Sequence, residues 1–175
     1  PARLLAEGRV DEAVAARARG RWLRQQTDEE ATLTAVLADL GDAAAPVVLG
    51  LGGRGATPGT LALVGADVAV LDTAVGALVV PHRAITWVRS EPGAAVPVGG
   101  RRIDAPVTFV ALLAALAAER PSVAVGTGAG AGHDRVVGEL RAVGADVVRL
   151  VDPEVAAAAV VVPVASITEV LLTKG

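Results

Sequence analysis

The chain has 175 residues, a net charge of −3 from 16 Lys and Arg against 19 Asp and Glu, and no Cys. This balance excludes a strongly basic nucleic-acid clamp, and the absence of Cys excludes disulfides, thiolate metal sites and Cys nucleophiles. Two His and no Tyr leave little for metal or acid–base chemistry, and no apolar run reaches the roughly 20 residues of a membrane span. We therefore expect a cytoplasmic protein without a cofactor; because the sequence begins at Pro1 and not at Met, whether this N-terminus is native is left open.

Residues 1–30 are predicted to form a helical and basic N-terminal segment. Arg17, Arg21 and Arg24 fall on one face at helical spacing, where they could contact phosphates. The acidic run at 28–30 follows within two turns and can neutralise that face. A solvated helix surface is therefore the alternative interpretation.

The next unit, residues 31–88, begins with an amphipathic helix and continues as short strands. Leu33, Val36, Leu37 and Leu40 recur at helical spacing, and Gly41 is a typical residue to end such a helix. Val-rich runs separated by Gly then predict five strands. These runs are Val47–Leu51, Gly59–Val64, Asp67–Asp72, Ala77–Val80 and Ile85–Val88.

A Pro- and Gly-rich linker at 89–104 leads to a second unit at 105–175. Its helix is predicted to start at Asp104 as N-cap, with Pro106 in the first turn, and to end near Arg120. Five further Val-rich runs predict the strands that follow. These runs are Val123–Gly126, Val136–Val143, Asp146–Val151, Ala159–Val162 and Ile167–Leu172.

The two units repeat each other in sequence. Gly59-Thr60-Leu61 and the later Val64-Gly65-Ala66-Asp67-Val68 recur 79 residues on as Gly138-Glu139-Leu140 and Val143-Gly144-Ala145-Asp146-Val147. The segments Val79-Val80-Pro81 and Ile85-Thr86 recur 82 residues on. Because Asp67 and Asp146 occupy equivalent turns, we expect them to cap backbone groups and not to act in catalysis.

This order of elements resembles the Sm-like (LSm) family, in which a helix precedes a five-stranded, SH3-like open barrel. Gly59, Leu61 and Asp67 match its first motif, as do their repeats, and Val79–Val88 and Val161–Val170 look like its second. The tandem layout also resembles a group of actinobacterial proteins. The resemblance implies a mainly β fold with helices (α+β), made of two tandem helix-plus-five-stranded Sm-like barrels.

RNA-binding members of this family suggest where a nucleic-acid site would lie. The bacterial Sm-like RNA chaperone places a Lys-His pair at the start of its last strand, and His82-Arg83 occupies the corresponding positions here. The second copy has Val164-Ala165-Ser166 instead, and no aromatic residue occupies a pocket position. His82 and Arg83, with the arginines of the N-terminal segment, are thus candidate nucleic-acid contacts, while these departures argue against RNA as a partner.

The function predicted from these observations is a non-enzymatic binding or assembly module, RNA-associated or scaffolding. The resemblance implies self-association, since exposed fourth and fifth strands usually pair with the next unit into a closed ring, here three chains and six units. A closed single chain is the competing outcome. The alternative function is a nucleotide-dependent protein using the Gly-rich loop 126–132, which imitates a dinucleotide fingerprint after a strand.

Overall fold

The computed structural model describes residues 17, 19, 22, 29–52, 54–90, 99, 106–128, 132–152 and 159–173. The first half of the described fold, residues 33–90, contains α1 (Leu33–Asp42), β1 (Pro46–Leu51), β2 (Gly55–Val64), β3 (Val68–Thr73), β4 (Gly76–Pro81) and β5 (Ile85–Ser90). The second half, residues 109–172, contains α2 (Phe109–Ala117), β6 (Ser122–Thr127), β7 (Asp134–Val143), β8 (Val147–Val151), β9 (Ala159–Pro163) and β10 (Ile167–Leu172). One-turn 3-10 helices, His82–Ala84 and Val164–Ser166, precede β5 and β10.

The helices begin as their N-cap residues dictate. The Thr32 and Thr108 hydroxyls accept hydrogen bonds from backbone N–H groups three residues on, as N-caps do. Thr108 therefore caps α2, and the predicted N-cap Asp104 is wrong. The first helix runs past Gly41 to Asp42, and Ala44 takes the left-handed conformation at φ 47° that we expected a glycine to supply.

The ten strands form one open antiparallel sheet, which corrects the expected fold of two separate barrels. The strand order is β5-β1-β2-β3-β4-β10-β6-β7-β8-β9, and every neighbouring pair is antiparallel. The barrel prediction fails because β4 pairs with β10 within the chain and merges the halves. Both strands carry apolar side chains, so neither edge resists pairing.

The repeat extends to the irregularities of the sheet. The register between β1 and β5 shifts at Gly50/Leu51, opposite Thr86, and that between β6 and β10 shifts opposite the equivalent Thr168. A second shift between β2 and β3 recurs between β7 and β8. Such bulges bend and twist a sheet locally, so each half bends at the same places.

Each helix covers the middle of its own half, and the two cores interlock where the halves join. The helix α1 packs mainly on β2, and α2 mainly on β7. The core under α1 also takes in Ala124 and Leu171 from the second half, and the core under α2 takes in Val68 and Val79 from the first. The halves therefore bury apolar side chains against each other.

Candidate functional site

The junction of the two halves, which we call the inner seam, is made by β4 and β10. Val79 lies opposite Val170, and Leu78 opposite Leu171, in antiparallel pairing. All four side chains are buried. Burial removes this apolar surface from water, and this hydrophobic effect is the main contribution to the stability of such a junction.

The Arg83 side chain, from the 3-10 turn before β5, forms hydrogen bonds across the inner seam. Its guanidinium donates to the backbone carbonyls of Val164 and, at 3.0 Å, Ile167 in the second half. It also lies 5.5 Å from the centre of the Phe109 ring on α2, within cation–π range. This guanidinium thus contacts two elements of the opposite half.

The turn before β3 holds the start of α2. Asp67 Oδ1 accepts from the Phe109 backbone N–H at 2.6 Å, and Ala66 N–H donates to Val107 O at 2.8 Å. Gly65 permits this approach, because a Cβ at this position would lie 2.3 Å from Val107 O. The predicted capping role of Asp67 is confirmed.

A third polar contact across the inner seam is an ion pair with a buried acidic partner. Arg54 Nη1, from the loop after β1, lies 2.8 Å from Glu169 Oε1 on β10. The Glu169 residue is only 3% exposed. Within the part of the chain that the structure describes, its second oxygen, Oε2, has no hydrogen-bond partner, so the ion pair with Arg54 balances the buried charge there.

The His82 imidazole lies half-buried beside α1, and Thr34 Oγ1 is 3.3 Å from its Nδ1. Burial lowers its pKa below the usual 6.5, and the backbone of Val68 and the negative charge of Asp67 oppose this shift only in part. The folded protein therefore favours the neutral imidazole.

We expect the free energy of unfolding to fall on acidification through the titration of His82. Below about pH 6.5 the unfolded chain takes up a proton that the folded chain resists, so stability is highest above that pH and declines below it, by at most about 1.4 kcal/mol per pH unit. Urea unfolding between about pH 7.5 and 5.5 measures the slope. His82→Asn should lose this component, whereas Thr34→Val, which keeps the titrating group, should retain it; equal slopes in both variants would contradict the assignment.

The sheet ends in two edges, β5 and β9, which occupy the repeat positions of the seam strands β10 and β4. Within the described residues no strand pairs with the outer side of either one. The contrast shows in the side chains: Val79 on β4 is 1% exposed, whereas its repeat Val161 on β9 is 54% exposed. Trp87, the repeat of Glu169, is also exposed on β5.

The structure separates the residues predicted to bind nucleic acid. His82 packs beside α1 and Arg83 fastens the inner seam, so the two neighbours contact different elements. Arg17 is exposed, while Arg21 and Arg24 lie outside the described residues, as does most of the 89–104 linker. Nucleic-acid binding by these residues stays a prediction.

The Gly-rich loop 126–132 joins the antiparallel strands β6 and β7. Strand residues and not a helix follow it, so the helix start that a dinucleotide fingerprint requires is replaced by a hairpin. Residues 129–131 of the loop lie outside the described residues.

Sequence reasoning missed Arg54 and Glu169. One signal was available, because Glu169 interrupts an apolar strand at a position where the first copy has Trp87. A carboxylate on a buried strand face needs a cationic partner.

In the part of the chain that the structure describes, no three His, Asp or Glu side chains gather as a metal site would require. No described helix has both the length and the apolar character to cross a membrane. No family model, curated protein or solved structure matches this chain.

Proposed function

We propose that this protein is a non-enzymatic assembly module whose chains join head to tail through the edges β5 and β9. The single observation that carries this proposal is the inner seam, which pairs the fourth strand of one half with the fifth strand of the other. The same two strand positions recur at the ends of the sheet as β9 and β5. The Sm-like resemblance implies this kind of pairing between neighbouring units.

The inner seam supplies the register for the joint between chains. If the joint repeats these two pairs, Val161 would lie opposite Val88 of the next chain and Val160 opposite Arg89. The edge strand β9 is apolar along its length and carries no Lys or Glu to prevent such pairing. Edge-to-edge contact would bury the Val161 side chain as β10 buries Val79.

Light scattering after gel filtration tests the proposal on the whole chain at micromolar concentration. We expect a mass that is a multiple of one chain, with three chains matching a ring of six halves. Val161→Lys places a charge on the edge and should reduce the mass to that of one chain. Val137→Lys is the matched control, since Val137 is also 54% exposed but lies on β7, inside the sheet.

Two results would overturn the proposal. One is a wild-type mass equal to one chain across the micromolar range. The other is an assembled wild type whose mass the two lysine variants change equally, because association would then not depend on the edge. Circular dichroism of both variants checks that they fold.

A further inference from the structure

The turn 65–67, which holds the start of α2, has a repeat at residues 144–146 in the second half. Gly65 is a glycine because the Val107 carbonyl approaches it. At the repeat position Gly144, the atoms within 4 Å of a Cβ belong to Val147 of the same hairpin, and its φ is not in the left-handed region. Among the described residues, neither backbone conformation nor an element outside this hairpin therefore requires a glycine at 144.

The helix start that would fit this turn lies at the other end of the molecule. Leu33 opens α1 as Phe109 opens α2, and the preceding threonines cap the two helices alike. Phe109 is 1% exposed under Arg83, whereas Leu33 is 38% exposed. Among the described residues, the turn 144–146 therefore holds no helix start, and the start of α1 contacts Gly99 but no such turn.

We infer that the turn 144–146 of one chain receives the start of α1 from the next chain, an inference that rests on the proposed function. The Asp146 carboxylate accepts from the Leu33 backbone N–H, one of the first-turn N–H groups that a helix leaves without an internal partner. The Ala145 N–H donates to the carbonyl of Ala31. Both contacts repeat the bonds that Asp67 and Ala66 make at the inner seam.

The joint between chains is a weaker copy of the inner seam. Ala165 stands where Arg83 fastens the inner seam, so the two carbonyl contacts and the ring contact are lost. Trp87 stands in place of Glu169, so the ion pair with Arg54 has no counterpart there. The halves of one chain therefore stay paired while whole chains associate and dissociate reversibly.

Introducing the side chains of Arg83 and Phe109 at their repeat positions tests this inference, because chains should then bind each other more tightly. Ala165→Arg would place a guanidinium by the His82 and Ile85 carbonyls of the next chain. Leu33→Phe would supply an aromatic ring for a cation–π contact with that guanidinium. We expect the double variant to lower the chain–chain dissociation constant about tenfold or more in sedimentation equilibrium, equivalent to about 1.4 kcal/mol. Ala114→Arg, at an exposed position on α2, controls for added charge and should leave the constant unchanged.

The loss variant is Asp146→Ala, which should raise the dissociation constant several-fold without changing the unfolding of the dissociated chain. If the wild type assembles and Val161→Lys separates it, but neither the transferred side chains nor Asp146→Ala changes the constant, this inference is wrong while the proposed function stands. If neither the wild-type nor the double-variant chain associates, both are wrong.

Discussion

Replacing Phe109 with alanine is expected to lower the free energy of unfolding by about 3–5 kcal/mol, the range for removing a fully buried aromatic side chain. The Phe109 ring is a member of the core under α2, and Arg83 lies over it. The variant therefore leaves a cavity and removes the ring that the guanidinium contacts. Urea unfolding measures the loss, and the melting temperature should fall by roughly 10 °C.

The repeat supplies a matched control for this substitution. Leu33→Ala changes the equivalent residue of α1, whose side chain is partly in water, and should cost about 1 kcal/mol or less in the dissociated chain. If both variants lose a similar free energy of unfolding, Phe109 is no more tightly packed than Leu33. The contacts at the inner seam would then not explain the burial of Phe109.

The sequence predicted the strands well because alternation, β-branched residues and glycine are local signals. The predicted strand Ile167–Leu172 has the observed bounds, and Val47–Leu51 differs by one residue. The predicted strand Gly59–Val64 begins four residues late, since β2 starts at Gly55, whose φ of 83° allows a tight turn after β1. Pro58 lies inside β2, opposite Val48.

The pairing of strands could not be predicted in the same way, because it depends on contacts between distant residues. Nothing in β4 alone shows which strand becomes its partner, and the barrel prediction failed because the strands of both halves join in one open sheet. The same limit applies to Arg83, which we interpreted as a candidate nucleic-acid contact. Its carbonyl partners lie 81 and 84 residues away, and no local pattern marks a backbone acceptor.

Removing the positive charge of the seam ion pair is expected to cost more than removing the negative one. Arg54→Met leaves the Glu169 carboxylate buried without a compensating charge and should lower the free energy of unfolding by about 3 kcal/mol. Glu169→Met leaves Arg54, whose side chain is 27% exposed. That guanidinium can extend into water, so this variant should cost only about 1 kcal/mol.

The double variant tests whether Arg54→Met loses stability because the Glu169 carboxylate stays buried without a compensating charge. Arg54→Met combined with Glu169→Met removes both charges from the inner seam, so it should be more stable than Arg54→Met alone. Urea unfolding of the four proteins, wild type included, gives the coupling between the two residues. If the cost of the double variant equals the sum of the single costs, Arg54 does not stabilise the seam by balancing the charge of Glu169. The 2.8 Å contact would then contribute little to the free energy of unfolding although the carboxylate is buried.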